Sequence, residues 1–141
     1  MASGSSTPAT STARVSCAGS QQASATAAHI AAARETGLPL IVHARDADDD
    51  TVAVLKEEYA RGPFPGVIHC FTAGPELAKA ALEIGFYISL AGIVTFKSSK
   101  EPANVVYTAD AMAKLCGVVM AEFADMTTDN FFRLFTRAAR P

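Results

Sequence analysis

Two apolar runs, Leu38–Ala44 (LPLIVHA) and Gly66–Phe71 (GVIHCF), each carry a histidine near the end, His43 and His69. Apolar character at nearly every position is the pattern of a strand covered on both faces in a parallel sheet. A third run, Phe86–Leu90, predicts another strand, and Ile93–Phe96 reads as a short extended or turn segment. Between the runs the spacing changes to three and four residues. An Ala-rich stretch predicts a helix over 23–36, stopped by Gly37 and Pro39. Val52, Leu55 and Tyr59 predict a second helix over 48–61, ended by Gly62-Pro63. A third spans 76–84, between the turn signals of Thr72–Pro75 and Gly85. After the third strand only helices follow. One runs over 102–115 with Gly117 as its stop, and one over 120–138 with Phe131, Phe132, Leu134 and Phe135 as the expected buried face.

Alternation of strands and helices argues for right-handed βαβ crossovers in a parallel sheet. In such sheets the loops after the strands build the active site. Histidines at the ends of two neighbouring strands therefore project into one mouth, the usual way a metal site is assembled. Neither GxGxxG nor GxxxxGK[ST] follows any strand, so a dinucleotide or P-loop reading lacks its anchor.

Composition narrows the class. At 141 residues, half of them hydrophobic and with net charge −2, the chain has material for one core. The mild acidity gives no charge-based argument for holding DNA. No apolar run approaches the roughly 20 residues of a membrane span. The cysteines Cys17, Cys70 and Cys116 are odd in number with no CxxC pair, which suits free thiols and a cytoplasmic location. Residues 1–27 differ from the rest: they are rich in Ser, Thr and Ala, and the first acidic residue of the chain is Glu35. A transit peptide has a similar composition, but the amphipathic Arg-rich pattern is weak, so a disordered leader is expected there. The folded domain is expected over 28–141.

Other side chains have an ordinary and a chemical reading. Cys70 reads as a small buried residue before it reads as a ligand or nucleophile. Asp46 or Asp48 is expected to cap the helix over 48–61, with Asp46 a less favoured metal carboxylate. The Asp48-Asp49-Asp50 run reads as charge complementing a helix N-terminus. His29 reads as an ordinary helix residue, and the Phe131/Phe132/Phe135 stripe as core. Arg45, just past His43, is placed to meet a phosphate bidentately or to brace its loop. Lys97, after the third strand, is a second and weaker phosphate candidate.

Four segments, Ala31–Arg45 (AAARETGLPLIVHAR), Gly66–Thr72 (GVIHCFT), Tyr87–Lys97 (YISLAGIVTFK) and Thr127–Phe135 (TTDNFFRLF), resemble the TatD family of metal-dependent deoxyribonucleases in the family's order. With the segments between them the resemblance covers about 28–138. It implies a TIM-type (β/α)8 barrel of the amidohydrolase-like class with two divalent ions (Mg, Mn or Zn) at its mouth. It also implies hydrolysis of DNA or another phosphate ester. One ion is held by an N-terminal His-x-His pair and a late aspartate, the other by two histidines, and a glutamate bridges them. His43 and His69 match the two histidines of the second ion.

The chain also departs from that pattern. It has no His-x-His, and neither the Gly-Glu-x-Gly-Leu-Asp segment nor the Glu-Thr-Asp segment is present. Lys97–Lys100 passes almost directly to Glu101-Pro102-Ala103, which resembles the family's last helix, so a block with at least one strand is missing. The expectation is a partial, truncated barrel with several strands missing. Its open strand edges invite self-association. Functionally, the resemblance implies a metal-dependent nuclease; the alternatives are a catalytically inactive barrel remnant and a small-molecule amidohydrolase-like enzyme.

Overall fold

The computed structural model describes residues 14–16, 20–92 and 105–140. Its elements in chain order are β1 (Arg14–Ser16), α1 (Ser20–Thr36), β2 (Leu40–His43), α2 (Asp48–Arg61), β3 (Gly66–Ile68), α3 (Pro75–Glu83), β4 (Tyr87–Ile88), α4 (Val105–Cys116) and α5 (Met120–Leu134). The strands form one sheet in the order β1-β2-β3-β4, every pair parallel. Strand order that follows chain order, with α1, α2 and α3 in succession against one face, is the arrangement of a barrel segment. A doubly wound sheet reverses its order partway. The fold is thus mixed α/β with a parallel sheet, consistent with part of a barrel.

Side-chain alternation explains which face the helices cover. Leu40 and Val42 of β2, Ile68 of β3 and Phe86 join Ile30, Ala33, Leu55, Leu77 and Ala81 of the helices in one buried cluster. Chain reversal beneath the sheet is handled by glycine. Gly37, at φ +67°, donates its N–H to Ala33 O at 2.9 Å and ends α1 in a left-handed cap. Gly85, at φ +77°, lets Phe86 N–H reach back to Ala81 O at 2.9 Å, closing α3 and sending Phe86 into the core. Between α1 and α2 lies a clamp. Arg34 Nη1 and Nη2 both donate to Glu58 Oε2 at 3.1 Å, and Arg34 Nε donates to Gly62 O at 3.0 Å.

Three expectations need correcting. The first concerns the start of the leader, expected to be largely disordered until about Gln21: β1 falls inside it, and α1 begins at Ser20 where a helix is expected from 23. β1 forms because β2 offers it a parallel partner, in the register Arg14↔Ile41 and Ser16↔His43; residues 1–13 lie outside the described residues. The second concerns α5. Only Leu134 of its expected face is buried, at 7% exposure, whereas Phe131 is 48% exposed and Phe132 and Phe135 are half-buried. α5 packs chiefly on α4, and Phe131 stacks on its own neighbours Phe132 and Phe135. With α4 as its main neighbour, α5 leaves part of its apolar face in water. The third is that the caps expected of Asp46 or Asp48 are not made, since α2 starts after Ala47 without a side-chain cap. The expected Ile93–Phe96 segment and Lys97 lie outside the described residues.

Candidate metal centre

Both histidines sit at the C-terminal edge of the sheet for a simple reason. β2 ends at His43, and β3 ends one residue before His69. The pairing Val42↔Ile68 brings the next residues of each strand side by side, and His69 N–H continues the ladder to Val42 O at 2.7 Å. The imidazole centroids are 6.2 Å apart, with the rings tilted by 43°. Both residues are half-buried, so the pair is reachable from the mouth. Past His69 the chain turns sharply. Cys70 takes φ +52°, a conformation that β-carbon sterics disfavour, and its thiol is free and half-buried rather than core. Phe71 N–H then bonds Ser89 O at 2.9 Å, which fastens the loop after β3 to the end of β4.

Beside the pair, the β2–α2 and β3–α3 loops enclose a cleft of about 360 Å³ lined by residues 44–49 and 72–74. Arg45 is in its wall, exposed, and makes no hydrogen bond or ion pair with any described residue. Asp46, Asp48 and Asp49 share that wall, so carboxylates outnumber the one guanidinium. Such a lining repels a bare anion and favours a cation or an anion carried with one. Asp48 bridges the two loops, because its Oδ2 accepts the N–H of Gly74, the N-cap of α3, at 2.8 Å. This carboxylate thus pins the loops together and occupies the amide that a phosphate would otherwise use. Replacing Asp48 with Ala is expected to cost about 1–2 kcal/mol in urea unfolding, from one charge-assisted bond and lost helix-terminus charge. Asp48→Asn should retain part of it.

The ligand set is short. Among the described residues no group of three or more His, Cys, Asp or Glu side chains is placed to hold a metal. Asp46 is exposed with φ +55°, and His29 belongs to α1, where its Nδ1 pairs with Ala25 O of the same helix at 2.6 Å. The register position beside His43 on β1 is Ser16. It stands just ahead of α1, where the resemblance calls for the bridging glutamate, and brings no carboxylate. Sequence reasoning missed this position because three residues, RVS, within a Ser/Thr/Ala-rich stretch carry no periodic signal.

A parallel sheet in chain order, with histidines at two adjacent strand ends, defines a mixed α/β protein consistent with part of a barrel. The chain belongs to the TatD family: the family model described as TatD related DNase matches residues 11–102. It is similar to the uncharacterized metal-dependent hydrolase YcfH of Escherichia coli K12, at 39% identity over 140 aligned positions covering 76% of this chain and 52% of the relative. YabD of Bacillus subtilis, also named an uncharacterized metal-dependent hydrolase, is 35% identical over 139 positions, covering 75% of this chain and 54% of the relative. The uncharacterized metal-dependent hydrolase TatD of Mycobacterium tuberculosis is 39% identical over 85 positions, 60% of this chain and 31% of the relative. The chain therefore spans about half the length of the first two relatives. An alignment of 140 positions that uses only 76% of 141 residues also means that some positions of the relative have no counterpart here. The family-model match ends at residue 102.

Proposed function

We propose that this chain carries, in His43 and His69, the two-histidine part of a metal-dependent hydrolase centre directed at phosphodiesters, with DNA as the substrate class. The observation that carries the reading is the side-by-side placement of the two rings, 6.2 Å apart at adjacent strand ends. The family's description as DNase and the relatives' printed names support it. Two imidazoles on neighbouring strands suit one Mg, Mn or Zn ion, whose chemistry would be Lewis-acid polarisation of a phosphoryl oxygen. They do not suit a two-ion centre. Catalytic zinc typically takes three protein ligands, and the described residues offer two. Arg45 provides the positive charge for a substrate phosphate; Lys97, outside the described residues, is a second candidate from the sequence. The free thiols Cys70 and Cys116 fit a cytoplasmic location.

That shortfall favours a second reading, a barrel remnant that binds metal without turnover. Assays on DNA and on bis(p-nitrophenyl) phosphate with Mn²⁺, Mg²⁺ or Zn²⁺ separate the two. The hydrolase reading expects cleavage that is lost in chelator and abolished by His43→Ala or His69→Ala. It also expects Arg45→Ala to raise KM several-fold with kcat nearly unchanged, the mark of uniform substrate binding. Cleavage that survives both histidine substitutions would contradict it, and no cleavage with any ion would leave the remnant. Turnover of amide or lactone substrates alone would point to the amidohydrolase-like alternative.

A further inference from the structure

Among the described residues two that are not glycine take positive φ, and each lies in one of the loops that leave the histidines. Asp46, at φ +55°, is between β2 and α2, and Cys70, at φ +52°, is between β3 and α3. The left-handed conformation is disfavoured for an L-residue and persists where the surrounding structure holds it. The loop after β3 is fastened to β4, through Phe71 N–H on Ser89 O at 2.9 Å. The loop after β2 is fastened at its far end by Asp48, whose Oδ2 accepts the Gly74 N–H at 2.8 Å. That bond supplies what α3 lacks in its own sequence. In a capping box the side chain three residues into the helix accepts the N–H of the cap residue. Here the cap residue is Gly74 and the third position is Leu77, which is fully buried and has no acceptor. A carboxylate 26 residues away in the chain takes that role instead.

The result is a closed ring. At its inner end His69 N–H bonds Val42 O at 2.7 Å, and at its outer end Gly74 N–H bonds Asp48. His43, Arg45 and Asp46 are on one side of the ring, and His69 and Cys70 are on the other. Closure couples the two bends, so neither loop relaxes without opening one of these bonds. We propose that Asp48 is a positioning residue: its bond to Gly74 holds the loop after β2 in the bend that keeps the His43 ring beside His69 and Arg45 in the wall of the cleft. Asp48 acts here by accepting a hydrogen bond, neither as an ion ligand nor through its charge. The consequence for an ion rests on the reading of His43 and His69 as its ligands; the consequence for the loop does not.

Two substitutions break the bond from opposite sides. Asp48→Ala removes the acceptor together with a charge. Gly74→Pro removes the donor and keeps the charge, at a φ of −77° that proline accepts. Asp48→Asn does the reverse, keeping an acceptor oxygen without the charge. Zn²⁺ affinity of the full chain is read by titration calorimetry, with His43→Ala/His69→Ala as the reference for binding elsewhere. Asp48→Ala and Gly74→Pro should each weaken it by about tenfold, as losing a partner that orients a ligand does. Combined, they should cost no more than either alone, because both remove one interaction. Asp48→Asn should keep most of the native affinity. A bond that only stabilises the fold would lower the unfolding midpoint and leave the affinity of the folded chain unchanged. Should Asp48→Ala fail to fold, Gly74→Pro against Asp48→Asn carries the comparison. Unchanged affinity in both bond-breaking variants, additive losses, or Asp48→Asn as weak as Asp48→Ala would each overturn the proposal. A native chain that binds no Zn²⁺ through the histidines would sink the hydrolase reading instead, and NMR of the metal-free chain then decides. The His43 ring signals and the Arg45 and Asp46 amide signals should move in Asp48→Ala and Gly74→Pro and stay near native in Asp48→Asn. Signals unmoved in the two bond-breaking variants would overturn the proposal whatever the ion does.

Discussion

Arg34→Ala is expected to lower the unfolding free energy by about 3 kcal/mol, out of the 5–15 kcal/mol typical of a domain. Arg34 reaches from α1 across to the C-terminal turn of α2 and serves three acceptors there. Its fork meets Glu58 Oε2 through both terminal nitrogens at 3.1 Å and also bonds the Glu58 carbonyl, while Nε bonds Gly62 O at 3.0 Å. The guanidinium lies 5.2 Å from the Phe64 ring centroid, so its removal also strips a contact from the core edge. Glu58 is what makes the loss large. Its side chain is only 7% exposed and would be left buried without its main partner. Arg61, which pairs with Glu58 Oε1 from the exposed side, keeps the cost at the low end of the range for broken buried pairs. Arg34→Lys should recover only part of the loss, because an ammonium cannot bond the carboxylate and both carbonyls from one planar fork. Urea unfolding at matched conditions measures it. A loss below about 1 kcal/mol would mean that water replaces the clamp without difficulty.

Gly66→Ala is expected to cost about 1–3 kcal/mol for one added methyl group. A β-carbon at Gly66 would sit 2.4 Å from Phe86 Cζ and 2.5 Å from Phe86 Cε2. That ring cannot step aside easily: Phe86 is 2% exposed and meets Phe64 edge-on, centroid to centroid at 5.4 Å. Either β3 shifts against β2, where Gly66 pairs with Leu40, or the Phe86 side chain leaves its rotamer. Because His69 follows three residues later, a shift of β3 would also move one of the two imidazoles. A double-mutant cycle with Phe86→Leu isolates the clash. Gly66→Ala should cost less in the Phe86→Leu background than in the native chain, and equal costs in both would show that the ring is not the obstacle.

Much of this architecture is legible in the residues, and the parts that are not share a cause. α2 runs from Asp48 to Arg61 as expected, because an acidic start and a Gly62-Pro63 stop are local signals. The two histidines are legible as strand ends because the apolar runs before them leave no other periodicity. Their separation is not legible, since it is set by the register between β2 and β3. Asp48 reads as a helix cap because its real partner, the amide of Gly74, lies 26 residues away. β1 depends on β2 for its existence, and α5 leaves Phe131 in water because a sequence states which face is apolar but not what covers it. Each difference traces to a long-range pairing that no local pattern encodes.

If His43 and His69 together hold a divalent ion in the folded chain, that ion must stabilise the fold. Thermal unfolding followed by circular dichroism, with and without Zn²⁺ or Mn²⁺, tests this on the native chain and on His43→Ala/His69→Ala. An ion bound only by the folded state stabilises it by about 2.7 kcal/mol at 100 times its Kd, a rise in midpoint of roughly 8 °C for a domain of this size. That rise is expected in the native chain and not in the double variant. An equal rise in both, or no rise in the native chain, would show that the two histidines do not hold the ion.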